Sequence, residues 1–164
     1  MVKARLKDIS KLVISIAVCE GAGLIGGLFT ASAISTWYAT LQKPSFTPPN
    51  WLFAPAWTTL YLLMAIAAFA VWRKGEVNQR IITALSFFCA QLALNMLWSF
   101  VFFGIKSPFA GVVVIVGLWV AILITIVKFS RVSKLAGILM LPYILWVSFA
   151  VALNISIWIL NPHY

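Results

Sequence analysis

Charge is what this chain has least of. Only 9% of its residues are Asp, Glu, Lys or Arg, against roughly 25% in an ordinary soluble domain. There are three acidic residues and a single histidine. So few proton-carrying groups leave little material for hydrolytic or metal chemistry. The histidine, His163, stands in the C-terminal tail, and no Ser-His-Asp or Cys-His set can be built within the apolar segments. It reads as a solvated residue rather than a haem ligand. No cluster offers the three or four ligands of a metal site, and no Gly-rich phosphate loop is present. Cysteine is nearly as scarce. Cys19 and Cys89 lie in apolar stretches, with neither metal-type spacing nor a disulfide framework.

What is there is hydrophobic: 63% of 164 residues. The apolar runs place the chain in a bilayer. Five stretches are near or above the ~20 residues that cross the hydrocarbon core: 12–34, 54–72, 81–103, 109–127 and 135–160. The expectation is an all-α bundle of five transmembrane helices, forming one domain over residues 1–164. The first stretch exceeds the ~7–15 apolar residues of a signal-peptide core, so it is read as a span and not as a cleavable signal peptide.

The formal net charge of +9 is a topology signal. Lys3, Arg5, Lys7 and Lys11 precede the first span, Arg73, Lys74 and Arg80 follow the second, and Lys128, Arg131 and Lys134 follow the fourth. Only Lys43 and Lys106 fall on the opposite side. The positive-inside rule then puts the N-terminus in the cytoplasm, with the plasma membrane as the default location. These charges sit in short connectors without a binding module, which argues against nucleic acid as a partner.

The connector between the first two spans is unlike the others. Residues 37–61 hold three Trp, two Tyr and four Pro. Proline fixes φ and removes amide donors, while Trp and Tyr supply flat faces with a polar tip. A long ordered loop in a compact domain is usually functional, and this one has the character of a stiff lid. Pro55 suits the first turn of the second span.

Helical spacing aligns further side chains. Gln91, Asn95 and Trp98 share a face, as do Trp57, Tyr61 and Met64, and as do Tyr143, Trp146, Ala150, Leu153 and Asn154. Amides facing lipid are costly, so these faces point inward. Spacing alone leaves two readings open: a cavity with stacking walls for a planar apolar ligand, or interhelical packing with the asparagines as hydrogen-bonded glue. Trp72 and Trp158, at span ends, read as interfacial anchors. Glu20 is the one carboxylate inside a span. It is a functional candidate by default, and the plainer reading is a carboxyl hydrogen-bonded to a neighbouring helix. Gly23 and Gly27 form a G-x-x-x-G pair, read as close packing within the bundle more than as a dimer contact.

The pattern W-Y-x-x-L-x-K-P-x-x-x-P-P-x-x-x-F-x-P-x-W-x-x-L-Y over residues 37–61 resembles the signature of the TspO/MBR family, the tryptophan-rich sensory and mitochondrial translocator (peripheral benzodiazepine receptor) proteins. The resemblance continues through Gln91-Leu-Ala-Leu-Asn95-x-x-Trp98-Ser99 with Phe102-Phe103, and through Pro142-Tyr143-x-x-Trp146-x-x-Phe149-Ala150-x-x-Leu153-Asn154. It implies a five-helix bundle, often a homodimer, that binds porphyrins, sterols and benzodiazepine-type ligands beneath the first loop. The matching ligand-binding positions are Tyr38, Pro48, Trp57, Asn95, Trp98, Trp146, Ala150 and Leu153. It implies no obligatory cofactor, with porphyrin or haem as candidate ligand.

Three functions follow from that resemblance. The leading one is a membrane-embedded binding and sensory protein for tetrapyrroles, with Asn95 orienting the ligand and Lys43 pairing with a propionate. The second is an enzyme promoting light-dependent porphyrin breakdown, with Trp57 and Trp146 as electron donors. The third is a transporter coupled through Glu20, weakened by the lack of a second buried acid and of an inverted repeat. No Lys or Arg follows Tyr143, so the steroid-type cholesterol motif of animal translocators is not matched.

Overall fold

The computed structural model describes residues 2–75 and 78–164. Five segments are long and apolar enough to cross a membrane: Leu6–Ile34, Asn50–Trp72, Gln79–Gly104, Pro108–Val132 and Lys134–Leu160. No sheet occurs among the described residues. Leu24, Leu28 and Leu145 lie at least 70% exposed. Such apolar surface is stable only against lipid, so the chain is a multi-pass membrane protein.

The first span is helix α1, Val2–Ile34. One helical turn, α2, Trp37–Thr40, opens the first connector. A 3-10 turn, Asn50–Leu52, leads into α3, Phe53–Trp72. Pro55 falls in the first turn of α3, where its missing amide would have had no partner. Next comes α4, Gln79–Ser99, capped by Asn78, whose side chain accepts from the Arg80 and Ile81 amides. Then follows α5, Pro108–Val132, capped by Ser107 with Pro108 at its start.

The fifth span is broken into α6, Lys134–Leu139, and α7, Leu141–Leu160. Pro142 cannot donate to the turn before it, so the expected single helix over 135–160 divides at Met140. The third span departs in another way. After Ser99 it widens into a π turn, Phe100–Gly104, in which the Ile105 amide donates to the Phe100 carbonyl at 2.8 Å. Lys106, at φ 61°, then ends it in the left-handed conformation.

The spans close into a ring. α1 packs between α3 and α4, α5 between α4 and α7, and α3 meets α6 and α7. At one end, Lys11 Nζ donates to the Trp72 carbonyl at 3.1 Å and Arg73 lies 3.9 Å from Asp8. The basic start of α1 and the basic end of α3 therefore share one face of the bundle, as the charge pattern requires. The side chains of Lys3 and Arg5 lie outside the described residues. Trp72 and Trp158 are half-buried near span ends, Trp158 against Phe109 at 5.2 Å. Cys19 and Cys89 are free.

The glycine pair needs correction. A Cβ at Gly23 would sit 2.6 Å from the Tyr61 ring, so Gly23 does let α1 and α3 approach. Gly27 meets nothing within 4 Å, and the second close contact is made by Gly26, 3.0 Å from Ser99 Oγ. The working pair is Gly23 with Gly26.

Candidate functional site

The first connector is anchored by its leading dipeptide. Trp37 and Tyr38 are buried at the end of the bundle opposite the Arg73–Asp8 pair. Trp37 packs edge-on to Phe102 and Tyr164, with ring centroids at 5.6 and 5.8 Å. Tyr38 reaches Phe103 at 5.8 Å. Asn161, at the end of α7, then clamps the connector: it accepts from the Gln42 amide at 3.0 Å and donates to the Gln42 carbonyl at 2.9 Å.

Beneath this lid lies a cavity. Tyr38, Trp57, Trp98, Trp146, Ala150 and Leu153 line it, brought together from the connector, α3, α4 and α7. Trp57 is the hub. Its ring lies 6.3 Å from Trp98, tilted at 34°, and 6.5 Å from Trp146 at 83°. Phe53, Phe102, Phe103, Phe149, Asn154 and Ile157 complete the wall. The open volume is about 30 Å³, space for about one water. The aromatic walls are in mutual contact, so a macrocycle enters only when they part.

Two expected positions stand elsewhere. Pro48 is half-buried in the connector and does not line the cavity. Asn95 is buried behind the wall and bridges two tyrosines: it accepts from Tyr61 Oη at 2.7 Å and donates to Tyr143 Oη at 2.8 Å. Its amide is thus engaged by α3 and α7, the packing role that spacing left open. Asn154 is engaged too, accepting from Trp98 Nε1 at 3.0 Å and donating to the Pro108 carbonyl at 3.1 Å. That pair locks the Trp98 indole in place.

One fully buried polar atom of the wall has no partner among the described residues. Tyr38 is 2% exposed, and its hydroxyl has no hydrogen-bond partner among the described residues. An unsatisfied buried hydroxyl costs about 1–3 kcal/mol, and such groups call for an explanation. Burial pushes its phenol up to about 12, so it stays protonated and able to donate at neutral pH. Lys43 Nζ lies 5.0 Å over the Tyr38 ring and donates to the Leu41 carbonyl at 3.0 Å. A cation and a spare donor therefore sit at the lid side of an otherwise apolar cavity.

Spacing had pointers to some of the residues it missed. Phe149 is three positions from Trp146, and Ile157 four from Leu153, both on the inward stripe of α7. Phe102 and Phe103, neighbours in the π turn, both line the cavity. Gly111 on α5 admits that turn: a Cβ there would stand 2.8 Å from Phe102.

Comparison with known proteins agrees with this architecture. The model of the TspO/MBR family matches residues 15–159. A tryptophan-rich protein TspO of Archaeoglobus fulgidus is 48% identical over 94% of this chain and 99% of its own. One from Chlorobaculum tepidum is 46% identical over 95% and 99%. The human translocator protein is 36% identical over 82% of this chain and 80% of its own. With its match running from the first span to the last, this five-span chain belongs to the TspO/MBR family.

Proposed function

We propose that the cavity beneath the first connector receives a porphyrin or a related planar, largely apolar ligand, and that the protein is a membrane-embedded binding and sensory protein for tetrapyrroles. The observation that carries this reading is the Tyr38 hydroxyl, buried without a partner in a wall otherwise built from Trp57, Trp98 and Trp146. Indole faces suit a macrocycle. The free hydroxyl and the nearby Lys43 ammonium suit its propionates.

The closed cavity adds a mechanism for sensing. A ligand that parts Trp57 from Trp146 also meets Tyr38, which lines the same cavity and anchors the connector. Occupancy is then transmitted to the loop surface, and the ligand shifts the balance between closed and open states by its preference for the open one. In this reading the protein works in the plasma membrane with its N-terminus in the cytoplasm, as a homodimer.

The second reading uses the same cavity for photo-oxidation. Trp57 and Trp146 both line it, 6.5 Å apart. A photoexcited porphyrin stacked there takes one electron from an indole, dioxygen adds to the reduced macrocycle, and the adduct returns one electron to the indole radical cation, so the tryptophan is restored, the porphyrin is oxidised and dioxygen is the oxidant consumed. No general acid or base is required.

The test is a protoporphyrin IX titration of the bilayer-reconstituted protein in the dark, followed by tryptophan fluorescence. Saturable quenching that weakens about tenfold in Trp146→Ala and severalfold in Tyr38→Phe supports the reading. Linear quenching, equal in all three proteins, overturns it. Repeating the titration under light, with and without dioxygen, separates binding from breakdown.

A further inference from the structure

A second cavity opens on the lipid side of the bundle, between α1 and α3. Its volume is about 390 Å³, within the size range of small-molecule sites and far larger than the closed central cavity. Gly23, Gly26 and Gly27 form its floor on α1, and Trp57 and Thr58 stand on the α3 side. The outer flank, Leu24 and Leu28, is 73% exposed to the apolar phase. Its open mouth at Gly27, where a Cβ would meet nothing within 4 Å, makes it accessible from the bilayer.

Two polar groups face this cavity without protein partners. Glu20 lines it and is engaged by no hydrogen bond or ion pair among the described residues, so the expected bond to a neighbouring helix is not formed. Ser99 also lines it, 6% exposed, and its hydroxyl is likewise unbonded among them. By contrast Tyr61, on the same wall, spends its hydroxyl on Asn95. Ser99 touches α1 at Gly26, six residues beyond Glu20, or about 9 Å along the helix axis. A carboxyl in hydrocarbon without a partner is costly. Water is scarce at that depth, so the partner comes from the lipid phase.

We propose that the α1–α3 groove is a second ligand site, which holds a membrane-resident amphiphile with a hydroxyl head on Glu20 and its apolar body along the glycine floor. A hydroxyl both donates and accepts. It therefore pairs with the carboxyl whether or not the carboxyl carries a proton, and an ether or ester head does not. Phe53 and Trp57 line both cavities, so they form the partition between this groove and the central one.

The experiment is photo-crosslinking of the full-length protein in lipid nanodiscs with a long-chain primary alcohol carrying a mid-chain diazirine, mapped by mass spectrometry. The expected result is saturable labelling of α1 and α3 peptides around residues 20–31 and 54–61. Excess unlabelled alcohol competes, and its methyl ether competes about tenfold less well. Glu20→Leu lowers the affinity by a similar factor. Gly27→Leu, which fills the mouth where a side chain has room, abolishes saturable labelling while dark protoporphyrin titration stays unchanged. Labelling that never saturates, or that alcohol and ether suppress equally, makes the groove ordinary lipid boundary and overturns the proposal. Crosslinks between two copies through the groove overturn it as well. The ether comparison is made on the wild-type protein, so a misfolded variant does not obscure the answer.

Discussion

Asn161 and Gln42 exchange two hydrogen bonds across 119 positions of sequence, one to the Gln42 amide and one to its carbonyl. Asn161 also donates to the Ile157 carbonyl at 2.7 Å, which fixes its amide on the end of α7. The lid over the cavity is thereby tied to the same helix that carries Trp146. Asn161→Ala should loosen the connector without touching the cavity wall. Loss of these bonds costs roughly 1–3 kcal/mol locally. Hydrogen exchange over residues 41–49 should accelerate about tenfold, and porphyrin should enter and leave faster with little change in affinity.

Asn95 presents the opposite case. Because it joins Tyr61 to Tyr143 behind the wall, Asn95→Ala should lower stability by about 1–2 kcal/mol. The measurement is the thermal midpoint in detergent. Porphyrin affinity of the folded variant should change less than about threefold.

The two glycines of the G-x-x-x-G pair should behave differently. Gly23→Ala pushes a methyl into the Tyr61 ring, an overpacking that costs roughly 1–3 kcal/mol. Gly27→Ala meets open space and should melt within about 1 °C of wild type, or slightly higher, since alanine is the better helix former. Melting curves of the two variants side by side provide the check.

Tyr38 gives a pH dependence. Its folded pKa is raised by burial, from 10.0 to about 12. The stability it contributes is fully present below pH 10 and is lost as pH rises through 12. Connector anchoring and dark porphyrin binding should therefore be flat from pH 6 to 9 and fall above about pH 10. Tyr38→Phe, which cannot ionise, should show a smaller alkaline fall.

Much of this was legible in the residues. Helical spacing alone turned Trp57, Trp98, Trp146, Ala150 and Leu153 inward, and all five line one cavity. Basic residues sorted Lys11 and Arg73 to a common end, where Trp72 and Asp8 receive them. What spacing could not show was departure from the regular helix. The π turn at Phe100–Gly104 and the break at Met140 change which residues face inward; the first answers to tertiary packing, the second to Pro142. Nor does a periodicity tell which polar side chain on an inward face is already spent. Asn95 and Asn154 are engaged by the protein, while Tyr38 is not.

The most direct measurement is the structure of the protein with zinc protoporphyrin IX, the zinc located by its anomalous scattering. The account predicts one zinc per chain beneath the connector, flanked by the rings of Trp57 and Trp146, with a propionate within hydrogen-bond distance of Tyr38 Oη. Zinc found only on the lipid-facing surface, with Trp57 and Trp146 still in contact and the Tyr38 hydroxyl still unpartnered, would contradict it.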